Sequence, residues 1–182
     1  YNLSDVVCNP SSAEGFGLSI CESLMSGTPI IATCIGGLQD QMGFKKEDGS
    51  YLTVDDYTTE WPSNSDMRYT DHGEWAFPLK ANLSLQGSPP TPYIYDSQPN
   101  LYDLRDRLKE VYDMGPDEAN RRGLSGREYV TTKEIGMTSK MMGENFISSL
   151  DGMWKNWKPR KRFTMVNSDE PTITYPAGTI LK

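Results

Sequence analysis

The chain has 182 residues, 36% of them hydrophobic, and its 18 Lys and Arg against 25 Asp and Glu leave a net charge of −7. Such a length can bury one core or two small ones, and the acidic balance argues against a general nucleic-acid binder. No apolar run approaches membrane-spanning length, and no signal-peptide pattern opens the sequence, so a cytoplasmic location is expected, a membrane surface within that compartment included. Cys8, Cys21 and Cys34 form no C-x-x-C pair and are expected as buried thiols of a reducing compartment, not as a disulfide or zinc framework.

Asp5 to Cys8 is a short apolar run ended by Pro10 and the serines at 11 and 12, and it reads as a buried strand. Gly15 and Gly17 bracket Phe16, so the backbone there can turn tightly and approach a ligand. Leu18, Cys21, Leu24 and Met25 recur at helical spacing. Gly27 is placed to end that helix, and Thr28-Pro29 leads into a second buried strand, Ile30 to Cys34. Strand, glycine turn, helix, strand is one unit of a parallel α/β sheet, whose ligands sit beyond the carboxyl ends of the strands.

The amides of Phe16, Gly17 and Leu18, at the helix N-terminus, are then expected to be free for a phosphate or a sugar hydroxyl. Two acids accompany them, Glu14 in the loop and Glu22 about one turn inside the helix. A carboxylate accepts two hydroxyl hydrogen bonds at once, which suits a ribose diol or a sugar ring. Gly36-Gly37 supplies a second loop at the same sheet edge, and Asp40 follows at the expected start of another short helix. A plain structural turn carrying solvated acids is compatible with the same residues.

The stretch Glu14-Gly-Phe-Gly-Leu-Ser-Ile-Cys-Glu22, then Ser26-Gly27-Thr28-Pro29, an apolar strand and Gly36-Gly37, resembles the donor-binding core of retaining GT-B nucleotide-sugar glycosyltransferases, family 4-like. The resemblance runs over about 1–154, with a break between 45 and 90, and implies the C-terminal Rossmann-like half of a GT-B fold, a parallel sheet flanked by helices and truncated on its N-terminal side. It implies that Glu14 lies against the donor sugar as a positioning and electrostatic group at the reaction centre. By the same resemblance Gly15, Phe16, Gly17 and Leu18 meet the sugar and diphosphate, Glu22 holds the ribose hydroxyls, and Gly36 and Gly37 line the sugar. Gln39 stands where a proline is common and Asp40 where a glutamate is.

The expected reaction is hexose transfer from a nucleoside-diphosphate sugar, UDP- or GDP-hexose, with no tightly bound cofactor and no metal. The acceptor is open among glycan, lipid, protein and, less readily, DNA. An N-terminal acceptor domain and the basic residues that clasp the diphosphate are expected upstream or on a partner chain, so catalysis by this chain alone is not expected. A non-catalytic nucleotide-sugar-binding or regulatory module is the alternative.

Along the rest of the chain, 42–57 reads as a turn and one edge strand, and 58–73 as a polar, irregular insertion whose single histidine, His72, is a surface loop residue. Trp61, Tyr69 and Trp75 either face an acceptor or pin that loop down. Trp75 to Leu79 reads as a third strand that Pro78 confines to an edge. Residues 80–92 read as an irregular excursion and Tyr93–Asp96 as a short strand.

A helix follows, capped by Asn100, with Leu101, Leu104, Leu108 and Val111 on one face and an Asp103–Arg107 pair on the other; Gly115-Pro116 ends it. A further helix over 118–130 is expected to break at Gly123 and Gly126. A last one carries Met137, Met141 and Phe146–Leu150, the methionines serving as core fillers. The domain is thus expected over 1–153, with insertions at about 45–74 and 80–92. The tail 154–182, basic and then Pro- and Thr-rich, is expected to dock on a missing domain or partner.

Overall fold

A computed structural model describes residues 1–159. The chain divides into two units, 1–143 and 144–182. The first holds a three-stranded parallel sheet of β1 (Val7–Asn9), β2 (Ile30–Thr33) and β3 (Ala76–Leu79), in that order. The register sets Val7 beside Ile30 and Ile30 beside Ala76. β2 is buried at all four positions, as a central parallel strand covered on both faces must be. Helix α1 (Leu18–Met25) makes the crossover from β1 to β2 and buries Ile20, Cys21, Ser23 and Leu24. The expected strand–turn–helix–strand unit is therefore present, and the protein is an α/β fold with a parallel sheet and flanking helices.

Adjacent side chains of β2 feed two cores. Ile30 and Ala32 pack with Ile20, Leu24, Leu38, Met42, Trp75, Tyr129 and Val130. Ile31 packs with Phe77, Leu79 and Val111, and with the partly buried Val6, Leu104 and Met114. Both cores draw on one long helix, α2 (Leu101–Thr131), which Asn100 caps by accepting from the Tyr102 amide. At Gly115 the backbone leaves helical geometry (φ 78°, ψ 168°), and Pro116 opens the second half. The first half of α2 serves one core and the second half serves the other.

The expected break at Gly123 and Gly126 does not occur. Both are buried within the helix because a side chain at 123 would overlap the Gly27 carbonyl, and one at 126 would reach Leu24 and Trp75. The four-residue face is also narrower than expected. Leu101 is 73% exposed and Leu108 45%, while Leu104 and Val111 pack inward with Met114. Arg107 pairs with Glu110 instead of Asp103.

Three other expectations need correction. The segment 42–57 forms no edge strand, only a Lys45–Tyr51 bridge and a 3-10 helix, Val54–Asp56. Residues 80–92 are not irregular: β4 (Ala81–Ser88) pairs antiparallel with β5 (Thr91–Pro99) in a hairpin separate from the main sheet. Cys8 is exposed, since it alternates outward on an edge strand, whereas Cys21 and Cys34 are buried.

The last helix is α3 (Ser139–Asn156), and in the second unit Phe146, Ile147, Leu150, Met153, Trp154 and Trp157 are exposed. The methionine-filler reading holds at Met137, which packs on the first core, and fails at Met142 and Met153. Most of the basic tail's cations and all of 164–182 lie outside the described residues. Among the described residues, no helix is long and apolar enough to cross a membrane.

Candidate functional site

Two glycine-bearing loops meet beyond the carboxyl ends of β1 and β2. The first runs from Pro10 into α1. Gly17 is the N-cap of α1 in the left-handed region (φ 85°), and no side chain caps the helix there. The leading amides of α1 therefore have no side-chain partner of their own at the turn, which leaves them available to an anionic or hydroxyl ligand. Gly15 has open space where a side chain would stand, so a ligand can approach its backbone. Phe16 and Leu18 are exposed, at 41% and 69%.

The second loop is a 3-10 helix, Gly36–Gln41, which follows β2 directly. Asp40 lies near its end and does not start a helix, a correction to the expected boundary. The two loops touch backbone to backbone: the Gly37 amide donates to the Glu14 carbonyl at 3.4 Å. A side chain at Gly36 would overlap that carbonyl, and one at Gly37 would come within 2.7 Å of the Phe16 Cα. Glycine is required at both positions for this approach.

Glu14 is half-buried in the first loop, and Glu22 is exposed on α1. The Tyr1 hydroxyl donates to Glu22 Oε2 at 2.9 Å, a bond that raises the Tyr1 phenol above its ordinary pKa. Thus Glu22 already receives a hydroxyl, on one of its two oxygens.

The insertion 58–73 is irregular, as expected, but firmly held. Asn64 is fully buried: its side chain donates to the Tyr69 carbonyl (2.9 Å) and accepts from the Tyr69 amide (3.0 Å). Its own amide donates to Gln39 Oε1 of the second loop, and its carbonyl accepts from the Cys34 thiol. Trp61 is buried against Tyr57 and Tyr69, with the Arg68 guanidinium 4.4 Å from its ring centre. Trp75 lies in the core. Trp61, Tyr69 and Trp75 therefore pin structure down and offer no open aromatic surface. His72 is half-buried and sits edge-on to Phe44, its Nδ1 2.9 Å from the Gly73 carbonyl.

Three residues hold the second loop, a role that sequence reasoning gave to none of them: it passed over Gln41 and Tyr129 and placed Trp75 only at the third strand and the insertion. Gln41 is fully buried, and its side-chain amide reaches the Phe16, Gly17 and Gly37 carbonyls. Trp75 Nε1 donates to the Gln41 carbonyl (3.0 Å), and the Tyr129 hydroxyl to the Asp40 carbonyl (2.9 Å). The two rings lie 4.7 Å apart, tilted by 32°. Burial raises the Tyr129 phenol's pKa, so it stays a neutral donor. The structure thus gathers Glu14, Gly15, Phe16, Gly17, Leu18, Gly36 and Gly37 at one edge, with Glu22 further along α1.

Residues 1–62 match the family model described as Glycosyl transferases group 1. Among curated proteins, the chain is 54% identical over 39 residues to a D-inositol 3-phosphate glycosyltransferase of Corynebacterium urealyticum, covering 21% of this chain and 9% of that protein. A protein of the same description from Kineococcus radiotolerans is 38% identical over 63 residues, 32% of this chain and 14% of its own length. Another from Rhodococcus jostii is 35% identical over 88 residues, 48% and 16%. The matched regions span between 9% and 16% of these relatives' length. No solved structure gives a significant match. The first third of the chain is therefore similar to glycosyltransferases, and the two glycine loops fall inside it.

Proposed function

We propose that this chain carries the donor-binding part of a retaining glycosyltransferase that moves a hexose from a nucleoside diphosphate to an acceptor. The observation that supports this most is the meeting of the two loops at an uncapped helix start, within the segment similar to group 1 glycosyl transferases. In this reading, amides of Phe16, Gly17 and Leu18 receive the diphosphate, whose negative charge grows as the bond to the sugar breaks. Fixed N–H dipoles at the positive end of a helix stabilise that charge without rearranging. Glu14 faces the donor sugar, where it orients hydroxyls and opposes positive charge at the anomeric carbon. Gly36 and Gly37 let the sugar approach the backbone. Glu22 accepts from the ribose hydroxyls through the oxygen that Tyr1 leaves open, or through both when Tyr1 is displaced. The acceptor hydroxyl attacks the anomeric carbon from the face of the departing diphosphate as the bond from that carbon to the diphosphate oxygen breaks, its proton passes to that leaving oxygen, and no enzyme carboxylate becomes covalently attached.

The test is calorimetric titration of the protein with UDP-hexose and GDP-hexose, repeated with Glu22→Ala. We expect one donor to bind and the variant to weaken it by about tenfold or more, as loss of a charge-assisted pair of hydrogen bonds does. Equal affinity of the two proteins would remove Glu22 from the site. Absence of binding by either donor would overturn the reading.

A further inference from the structure

We infer that Gln41 is the positioning residue of this site, the group that makes the two glycine loops a single cradle and turns their amides outward. The inference rests on the donor-binding reading above and names what gives that site its shape. Gln41 is the last residue of the 3-10 helix Gly36–Gln41 and has no exposed surface. Its Nε2 contacts the carbonyl oxygens of Phe16, of Gly17 at 3.3 Å and of Gly37 at 3.4 Å. Two N–H bonds shared among three acceptors tie both loops to one side chain.

The consequence for the ligand follows from peptide geometry. In a planar trans peptide, the carbonyl of one residue and the N–H of the next point in opposite directions. Drawing the Phe16 and Gly17 carbonyls inward to Gln41 turns the Gly17 and Leu18 N–H groups away from it, toward the open side of the loop. Those are the amides assigned to the diphosphate. The Gly17 carbonyl also accepts from the Ile20 and Cys21 amides, so the same inward oxygen starts α1.

The orientation of the side chain has one solution, because reversing the amide would set Oε1 against three carbonyl oxygens. Oε1 itself is buried without a hydrogen-bond partner among the described residues. The backbone on either side is held by Trp75 and Tyr129, so the clamp is fixed to β3's approach and to α2. Gln41 touches no ligand in this arrangement. It acts through the backbone of residues 16–18 and 36–37.

Two variants separate positioning from packing. Gln41→Met keeps the length and removes the donor. Gln41→Glu keeps the shape, but its carboxylate opposes the three carbonyls near pH 8, while the protonated acid regains one donor near pH 5.5, within reach because burial raises a carboxyl pKa. Amide hydrogen exchange without ligand, and titration with UDP- and GDP-hexose, are measured for wild type and both variants.

We expect faster exchange confined to peptides over 13–20 and 34–42 in Gln41→Met, with affinity lower by about tenfold or more. Gln41→Glu is expected to be equally weak near pH 8 and to recover near pH 5.5 relative to wild type at the same pH, a comparison that removes the titration of neighbouring Asp40, whose carboxyl pKa burial raises. Unchanged exchange in both segments, or equal pH-independent weakening in the two variants, would overturn the role of Gln41. A wild type that binds and variants that bind equally would do the same. A wild type that binds neither donor overturns the donor reading itself, and the exchange data then decide whether the cradle exists without it.

Discussion

Cys8 and Cys34 stand one strand apart; burial raises both thiols above their ordinary pKa, but only Cys8 is open to a reagent. Cys34 is fully buried, donates to the Asn64 carbonyl, and has its pKa pushed up to about 12, mainly by burial and then by Asp66 and Asp40. Cys21 is 3% exposed, and Cys8 faces out from β1. Because the thiolate is the nucleophile, a buried thiol held neutral does not react. Brief alkylation of the native protein should therefore label one thiol, at Cys8, and complete labelling should require denaturant. Rapid modification of Cys34 would contradict the packing around Asn64. The glycine turn is legible in sequence because Gly15 and Gly17 bracket Phe16 ahead of a helical period, whereas Glu14 and Glu22 stand out only through the resemblance to donor-binding cores. Gln41 is not legible, since it stands in GGLQDQ with no period or motif to single it out. Its part becomes visible only when chain folding sets it against Phe16, 25 positions away in sequence.

Helix α2 shows how a feature read correctly as composition can be read wrongly as geometry. Glycines at 123 and 126 suggest a broken helix, yet a spacing of three puts both on one face, where their lack of side chains lets α2 press on the turn at Gly27. Exchanging a mid-helix glycine for alanine gains about 1 kcal/mol of helix propensity. At Gly123 the added methyl meets the Gly27 backbone, which cannot swing aside, and overpacking of that kind costs about 1–3 kcal/mol. Gly123→Ala should lower the melting temperature. Gly143→Ala, with open space around it, should raise it slightly. Thermal melts of the two variants give opposite signs if the close approach is real. The hairpin β4–β5 escaped the sequence for a related reason. Gly87 and Pro89-Pro90 mark a break, and a break between two strands looks the same as an irregular loop until the pairing of Leu85 with Tyr95 is known.

At the scale of the whole first unit, Glu74, just before β3, is tied to α2 by the two terminal guanidinium nitrogens of Arg121 (2.9 and 2.5 Å) and by Ser125 (2.7 Å). Arg121, and then Ser125, hold the Glu74 carboxyl at about 2, below its usual 4.5. A depressed carboxylate stabilises the folded state above its unfolded pKa, and that contribution disappears as pH falls from about 4.5 through about 2. The pair is exposed and screened, so its contribution at neutral pH is small. Melts of wild type and Glu74→Gln should differ most above about pH 5 and converge on acidification or in molar salt. A difference that does not change with pH would mean that packing, not the ion pair, joins the two elements. Such long-range ties are the least legible in sequence, since residues 74 and 121 belong to no common motif.

The hairpin carries a different consequence. Ala81 and Pro99 stand directly opposite one another, so its two feet are about 5 Å apart. Everything between them can be cut away and the gap closed with a short turn, or a foreign peptide spliced in, while the loops around Glu14 and Gly36 keep their own anchors. The fold thus contains a ready-made socket: a place, at the edge of the sheet from which the glycine loops also rise, where a reporter or a binding epitope can be grafted.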